Sequence, residues 1–421
     1  MTRAVSEPQT TPVPEAIRTR CCVVGGGPAG MMHAFLLARA GVEVTVLEKH
    51  GDFFRDFRGD TIHPSTLELM EELGFLEDFL KLPHQEVHVL RASASGRLIT
   101  LADLGSLPTR CKFIAIIPQW DFLNFLAERA RRLPGFSLRL RAEATDLIFE
   151  GGRVAGVRAR TPEGILEVRC DLVIGADGRH SITRERAQLR VESFGVPIDV
   201  LWLRIPKGPE SEQQTLGFFE PGRLMVLIAR GDYYQCGYVI RKGEWEALKK
   251  AGIDAFRASI VRMAPMVADG AATLRDWDQV KLLSVSIDRL ERWHREGLLC
   301  IGDAAHAMSP AGGVGINLAI QDAVAAANEL AEALARGPVP EALLRNVQTR
   351  REPPMRKVQR MQVFIHRRMF GASAGKSGAA GPFPAAFAWI LRLPPVRHAI
   401  ARVIGLGFLP EHIRSPVKTN T

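Results

Sequence analysis

Cysteine is sparse and unpatterned in this chain: six in 421 residues, at Cys21, Cys22, Cys111, Cys170, Cys236 and Cys300, with no Cys-x-x-Cys pair. That removes the usual spacing of a zinc site or a dithiol redox motif, and no metal ligand set is expected. Most of the six stand in apolar, strand-like runs, so they read as buried free thiols, and a reducing cytoplasm follows. Long apolar runs are also missing. The most apolar stretch, 384–410, is interrupted by Arg392, Arg397, His398, Arg402 and Pro394-Pro395, too often for a spanning helix of about 20 residues. It is expected either to pack on the protein or to make a peripheral membrane contact through residues 385–410. Acidic residues are outnumbered, 46 to 55, giving a net charge of +9. The basic residues have no aromatic stacking series or recognisable nucleic-acid motif beside them, so nucleic acid is not expected as a partner. The densest basic run, 345–368, reads as a solvated helix face or as an anion site.

At this length two intimately joined domains are expected. Residues 1–18 are rich in Thr, Pro, Glu and Ser and have no apolar run after a basic start; they read as a disordered leader, with no signal peptide. A short strand over 19–24, a helix over 28–40 and a β-branched strand over 42–48 make one βαβ unit. Pro64 opens a short helix that Gly74 closes as a left-handed cap. From Glu86 the pattern alternates, with turns at 95–96, 151–152 and 163–164, interrupted by a helix from 121 to about 132. Over 196–241 the strands read as a meander (196–205, 215–220, 223–230, 233–241). Parallel-type strand text returns at 170–175 and 298–302. Beyond Pro338 the chain is helical to Phe370, kinked or split at Pro353-Pro354, and a Gly/Ala/Ser linker follows at 371–381.

Three segments carry chemistry. In Gly25-Gly26-Gly27-Pro28-Ala29-Gly30, a Gly-x-Gly-x-x-Gly between strand and helix, the first glycine permits the tight turn. The second lets backbone approach a pyrophosphate, and the third lets helix and strand pack closely. Glu48 ends the next strand, followed by Lys49, and can accept hydrogen bonds from ribose hydroxyls. A carboxylate there repels a 2′-phosphate, so the bound adenosine belongs to FAD or NAD. The second segment runs Gly302-Asp303-Ala304-Ala305-His306, then Pro310-Ala311-Gly312-Gly313-Val314-Gly315-Ile316-Asn317, before an alanine-rich helix. Its amides at a helix start can stabilise developing negative charge. The third, Asp177-Gly178-Arg179, follows the 170–175 strand. Two separated backbone turns suit a cofactor as long as FAD. The expected fold is α/β: a Rossmann-type FAD-binding domain assembled from stretches 19–84, 119–190 and 291–345. A mixed or antiparallel β-sheet substrate domain (85–118, 191–290) is inserted between them, and C-terminal helices with an apolar tail (346–421) follow.

In this order and spacing the three segments resemble the single-component FAD-dependent aromatic hydroxylases typified by para-hydroxybenzoate hydroxylase, over roughly residues 21–335. The resemblance implies that Gly25, Gly27, Gly30 and Glu48 hold the ADP half of FAD. It also implies that Asp177 serves FAD and NAD(P)H, that Gly302-Asp303 contacts the ribityl side, and that Pro310 with 312–317 lies under the flavin ring. Arg58 resembles the family's arginine near ribose and pyrophosphate, and Gln119 its FAD-contacting glutamine. The chain lacks the thioredoxin-like extension of some phenol hydroxylases and the Trp-x-Trp-x-Ile-Pro motif of flavin halogenases. With one Gly-x-Gly-x-x-Gly only, NADPH or NADH is expected as a transient co-substrate.

The activity implied is monooxygenation of a small, apolar, planar substrate (a phenol, quinone precursor or polyketide) by O₂ through a flavin C4a-hydroperoxide. The alternatives are an FAD-dependent reductase that never activates O₂, and a nucleotide-binding protein without redox chemistry. No catalytic acid or base is assigned; His63 and His306 read as structural. The substrate pocket is expected between the flavin and the inner face of the 196–241 sheet, with Phe218, Phe219, Met225, Tyr233 and Tyr234 as candidates, about half of them facing the cavity.

Overall fold

In the computed structural model, residues 15–54, 61–94, 97–208, 215–220, 222–370, 390 and 393–418 are described. Arg58, the 95–96 turn, Pro221 and the 371–381 linker lie outside them.

The central sheet runs His294–Arg295, Leu298–Cys300, Gly164–Gly175, Glu15–Val24, Val44–Glu48, Phe136–Leu140, with Arg153–Thr161 and Glu143–Glu150 added antiparallel. Its core strands are parallel, so they need cover on both faces, and their burial follows: Val44–Glu48 is buried throughout. The helix Pro28–Arg39 and the 22-residue helix Gly315–Arg336 pack against each other beside it. The parallel register sets Val24 beside Gly175 and Leu47, and Gly175 beside Cys300. Strand ends drawn from three distant stretches therefore meet at one edge, the crevice where α/β sheets bind ligands.

A second, seven-stranded sheet is ordered Lys281–Ser284, Ile198–Pro206, Tyr233–Arg241, Arg223–Arg230, Leu216–Glu220, Val89–Ala94, Arg97–Asp103. It corrects the meander: Ile198–Pro206 pairs with Tyr233–Arg241, and Leu216–Glu220 moves outward to pair in parallel with Val89–Ala94. Ile198–Pro206 then hydrogen-bonds strands on both sides, where Leu201, Leu203 and Ile205 are buried.

Two further expectations change. The first strand begins at Glu15, inside the stretch read as leader, because residues 15–19 pair with 166–170 of a long strand. And Glu341–Phe370 is one helix that continues through both prolines. Each proline forfeits a donor, but Pro354, Met355 and a fully buried Arg351 anchor that turn from outside. The C-terminal helix Pro394–Gly405 packs on the protein: Ala401 is fully buried, and a Cβ on Gly405 would fall 2.6 Å from Leu107. Among the described residues no helix is long and apolar enough to cross a membrane.

Candidate functional site

The three glycines of the first turn do separate jobs. Gly25 has φ +104°, and a Cβ there would sit 2.4 Å from the Ala176 carbonyl oxygen. On Gly30 it would sit 2.0 Å from the carbonyl oxygen of Gly25, so that helix can approach its strand only without a side chain. Gly27 is different: a Cβ would meet nothing within 4 Å. It is the N-cap of Pro28–Arg39, which has no side-chain cap and no acidic residue in its first turn. Open space before uncapped amides at a helix start is a cradle for an anion. Glu48 closes the other side; its carboxylate accepts from the amides of Gly26 at 2.9 Å and His50 at 3.0 Å. Lys49 is exposed beyond it. Gln119 is half-buried and opens the helix Gln119–Ala130, whose next residue, Trp120, lies 4.9 Å from the ring of Phe54 in the loop after Glu48.

The second glycine turn meets the first directly. Gly302 has φ +58°, and its Cβ would fall 3.2 Å from that of Ala29 and 3.1 Å from that of Ala319. The Asp-Gly element is bound to the same place. Asp177 turns its carboxylate on its own loop, accepting from the Ser181 and Thr183 hydroxyls at 2.6 and 2.9 Å and the Thr183 amide at 3.0 Å. Asp303 instead stays partly exposed, paired with Arg179 Nε at 3.1 Å. Arg179 also donates to the Met308 carbonyl, and Arg184 to that of Ala304. Both arginines lie within or next to the Asp-Gly segment, and neither was singled out from sequence.

Downstream, the loop carrying Pro310, Gly312 and Gly313 is tied by side chains. Gly312 and Gly313 have φ of +82° and +63°. Thr61 Oγ1 donates to the Gly313 carbonyl at 2.9 Å. The Asn317 amide donates to the carbonyls of Thr61 and Gly313, and its oxygen accepts from the His63 amide and the Thr66 hydroxyl. Asn317 therefore holds the loop in place, while Val314, Gly315 and Ile316 begin the helix behind it. From the other side Gln362 brackets Ser309 and Ala311, and His366 meets the Ser309 hydroxyl.

Behind both turns lies a charge network that sequence reading missed. Asp322 accepts from the Gly302 amide at 3.2 Å, meets His306 Nε2 at 2.5 Å and Arg351 Nε at 3.0 Å. Arg351 reaches Glu411 at 3.2 Å, and Glu411 also takes Arg350. Burial alone would raise the Asp322 carboxyl, but His306 and Arg351 outweigh it and hold it below the usual carboxylate range. The one sequence signal was a Gln321-Asp322 pair inside an alanine-rich helix. His63 is buried, with Nδ1 2.7 Å from the Ile404 carbonyl, and burial lowers its pKa to about 4. Both histidines serve structure.

The seven-stranded sheet has two unlike faces. Phe218, Met225 and Tyr234 point away from the glycine loop and pack with Phe256 and Ile260 of the helix Ile253–Met263, which removes them as pocket residues. Tyr233 and Phe219 are half-buried. On the opposite face Trp202, Gly237, Val226, Gly217 and Ala92 align in register across five strands. Trp202 and Val226 there are only half-buried and pack toward Ile114 and Ile116, in a strand paired with Thr61–Ile62.

Among the described residues no cluster of His, Cys, Asp or Glu could hold a metal. The residues present do fit a dinucleotide: an anion cradle at Gly27, a carboxylate beside it, and a second turn locked against the first. Comparison with known proteins agrees. The family model described as "FAD binding domain" matches residues 18–362. The chain is 36% identical over 398 residues to 6-methylpretetramide 4-monooxygenase of Streptomyces rimosus, covering 93% of each. Among solved structures, the anhydrotetracycline hydroxylase OxyS from Streptomyces rimosus superposes with a TM-score of 0.74 at 23% identity, covering 92% of this chain and 76% of that one. PqsL of P. aeruginosa in complex with 2-aminobenzoylacetate gives 0.74 at 20%, covering 90% and 100%. With the glycine turns, the Asp-Gly element and the ring-side loop converging on one crevice, the chain belongs to the FAD-binding family of single-component aromatic monooxygenases.

Proposed function

We propose that the enzyme hydroxylates a planar, largely apolar aromatic of the polyketide or quinone-precursor kind, consuming NAD(P)H and O₂. The observation that carries this is the apolar sheet face of half-buried Trp202 and Val226, with Gly237 between them and Gly217 beyond, packed toward Ile114 and Ile116 of the strand that pairs with Thr61–Ile62. The Trp202 indole lies over Gly237, where a Cβ would fall 3.1 Å from its ring, and gives that wall a flat aromatic surface for a planar molecule. The tetracycline-type relative supports a polycyclic substrate.

In this reading FAD, when bound, supplies the redox chemistry, taking electrons from NAD(P)H and directing oxygen to the substrate. The chain's residues bind and orient. Gly27, Pro28, Ala29 and the helix amides receive the pyrophosphate, with Lys49 and Gln119 as further FAD contacts; Arg58, outside the described residues, is assigned to the ribose and pyrophosphate by resemblance alone. Glu48 receives the ribose hydroxyls, and Asp303 the ribityl side. Pro310 and the amides of 312–317 face the ring edge, where their dipoles favour negative charge. Asp177 acts through the loop it caps. We also place the protein in the cytoplasm with its tail on its own surface, which the burial of Ala401 and Leu406 supports.

The test is oxygen uptake with ¹⁸O₂ in the presence of aromatic polyketides and phenols. One labelled atom in the product is expected. Label found only in water or peroxide overturns hydroxylation in favour of a reductase, and a purified protein that stays colourless after FAD is added overturns both.

A further inference from the structure

Away from the crevice, on the far side of the helix that brackets the glycine loop, lies a cleft of about 320 Å³. It is lined by Arg289, Gln359, Arg360, Arg367, Phe194 and Phe364, among others. Three features mark it as a built site. Arg289 is 9% exposed, lies 4.5 Å over the Phe194 ring and pairs with Glu192 at 2.5 Å, yet its Nε has no partner. Gln359 is 2% exposed; its Nε2 is spent on the carbonyls of Asp288 and Ala307, at 2.8 and 3.2 Å, and its Oε1 has no partner. A buried donor and a buried acceptor left unsatisfied in the wall of one cleft each carry a desolvation cost. The third feature is charge and surface. Arg360 and Arg367 are exposed, with no carboxylate against them among the described residues, and Phe364 is 69% exposed beside them.

Glu192 offsets Arg289, so the cleft keeps two uncompensated guanidiniums, matching the two charges of a diphosphate. The exposed Phe364 ring offers a stacking surface to a base. We propose that this cleft docks the adenosine diphosphate portion of the nicotinamide dinucleotide. The proposal rests on the reading above that the enzyme consumes NAD(P)H. It accounts for the lack of a second Gly-x-Gly-x-x-Gly, and it gives the basic run 345–368 a ligand. The placement is apt: Gln359 holds Ala307, and one turn on Gln362 holds Ser309 and Ala311, so the docking helix is the one that braces the glycine loop.

The experiment titrates FAD-loaded protein with ADP-ribose, which carries no reducing equivalents, by calorimetry. Wild type is compared with R360A/R367A, both exposed positions outside the cradle. Binding that weakens at least tenfold in the double variant, with an unchanged melting temperature, a raised KM for NAD(P)H and an unchanged kcat, is the expected result. Equal affinity in the two proteins, no binding to wild type at millimolar ADP-ribose, or a change only in oligomeric state overturns the docking site. Should the enzyme turn over with chemically reduced flavin but never with NAD(P)H, the co-substrate reading fails by itself, and the cleft still stands or falls on ADP-ribose.

Discussion

The two ends of the crevice are built by different physics. At the Gly25–Gly30 end the work is done by backbone: three glycines, uncapped helix amides and one carboxylate that accepts from two backbone amides. At the other end, side chains drawn from the length of the chain do it: Thr61, Asn317 and Gln362 hold the loop of Gly312 and Gly313, and the Asp322–Arg351–Glu411 network holds the Gly302 turn. A backbone cradle asks for the absence of side chains at fixed spacing. A side-chain brace asks for particular partners at any distance in sequence, and tolerates the loss of none that is both charged and buried.

The contrast can be broken most forcefully at Arg351. Replacing it with Met strands Asp322 and Glu411 in the interior, and a loss of about 3–5 kcal/mol in unfolding free energy is expected; denaturant titration of the FAD-free protein would read it. If Arg351→Met unfolds normally while retaining flavin, the Gly302 turn does not depend on its brace.

Acid is the next lever. Burial lowers the pKa of His33, His63 and His366 to about 4, below the ordinary 6.5 of the unfolded chain. The unfolded state therefore binds protons that the folded state refuses, and stability falls as pH drops from about 6.5 toward 4, by at most roughly 3 kcal/mol for each fully buried histidine. Two of the three brace the ring end, so hydrogen exchange at pH 5 should open residues 309–317 before the Gly25–Gly30 turn. Simultaneous opening would erase the distinction.

The smallest expected effect sharpens the phosphate end. Gly30→Ala forces a Cβ onto the Gly25 carbonyl and should cost about 1–3 kcal/mol of stability. Gly27→Ala meets no protein atom. It should leave melting of the FAD-free protein unchanged while weakening FAD by about tenfold, or 1.4 kcal/mol. Fluorescence titration of the released flavin separates the two variants, and equal melting losses would deny Gly27 its role.

The same division explains what could be read from sequence. The glycine spacing, the strand before it and Glu48 are local, so the strand–turn–helix geometry around Gly25–Gly30 was legible, as was the α/β fold with its second sheet. The continuity of the helix through Pro353-Pro354 was not, because Arg351 in that turn pairs with Asp322, 29 residues upstream, and Glu411, 60 residues downstream. Nor was the inward face of the second sheet. Strand alternation gives two faces but not which one meets the crevice, and the non-sequential pairing of Ile198–Pro206 with Tyr233–Arg241 decided that Trp202 faces in and Tyr234 faces out.

Glu411 gives the molecule an order of completion. Both glycine turns, Asp322 and Arg351 are translated before it, and at ~5–20 residues per second the 60 residues from Arg351 to Glu411 take about 3–12 s to make. Through that interval a guanidinium destined for full burial has one of its two carboxylates and lacks the other. The nascent chain can form its Gly25–Gly30 turn early, but the brace behind the Gly302 turn stays incomplete until Glu411 is made.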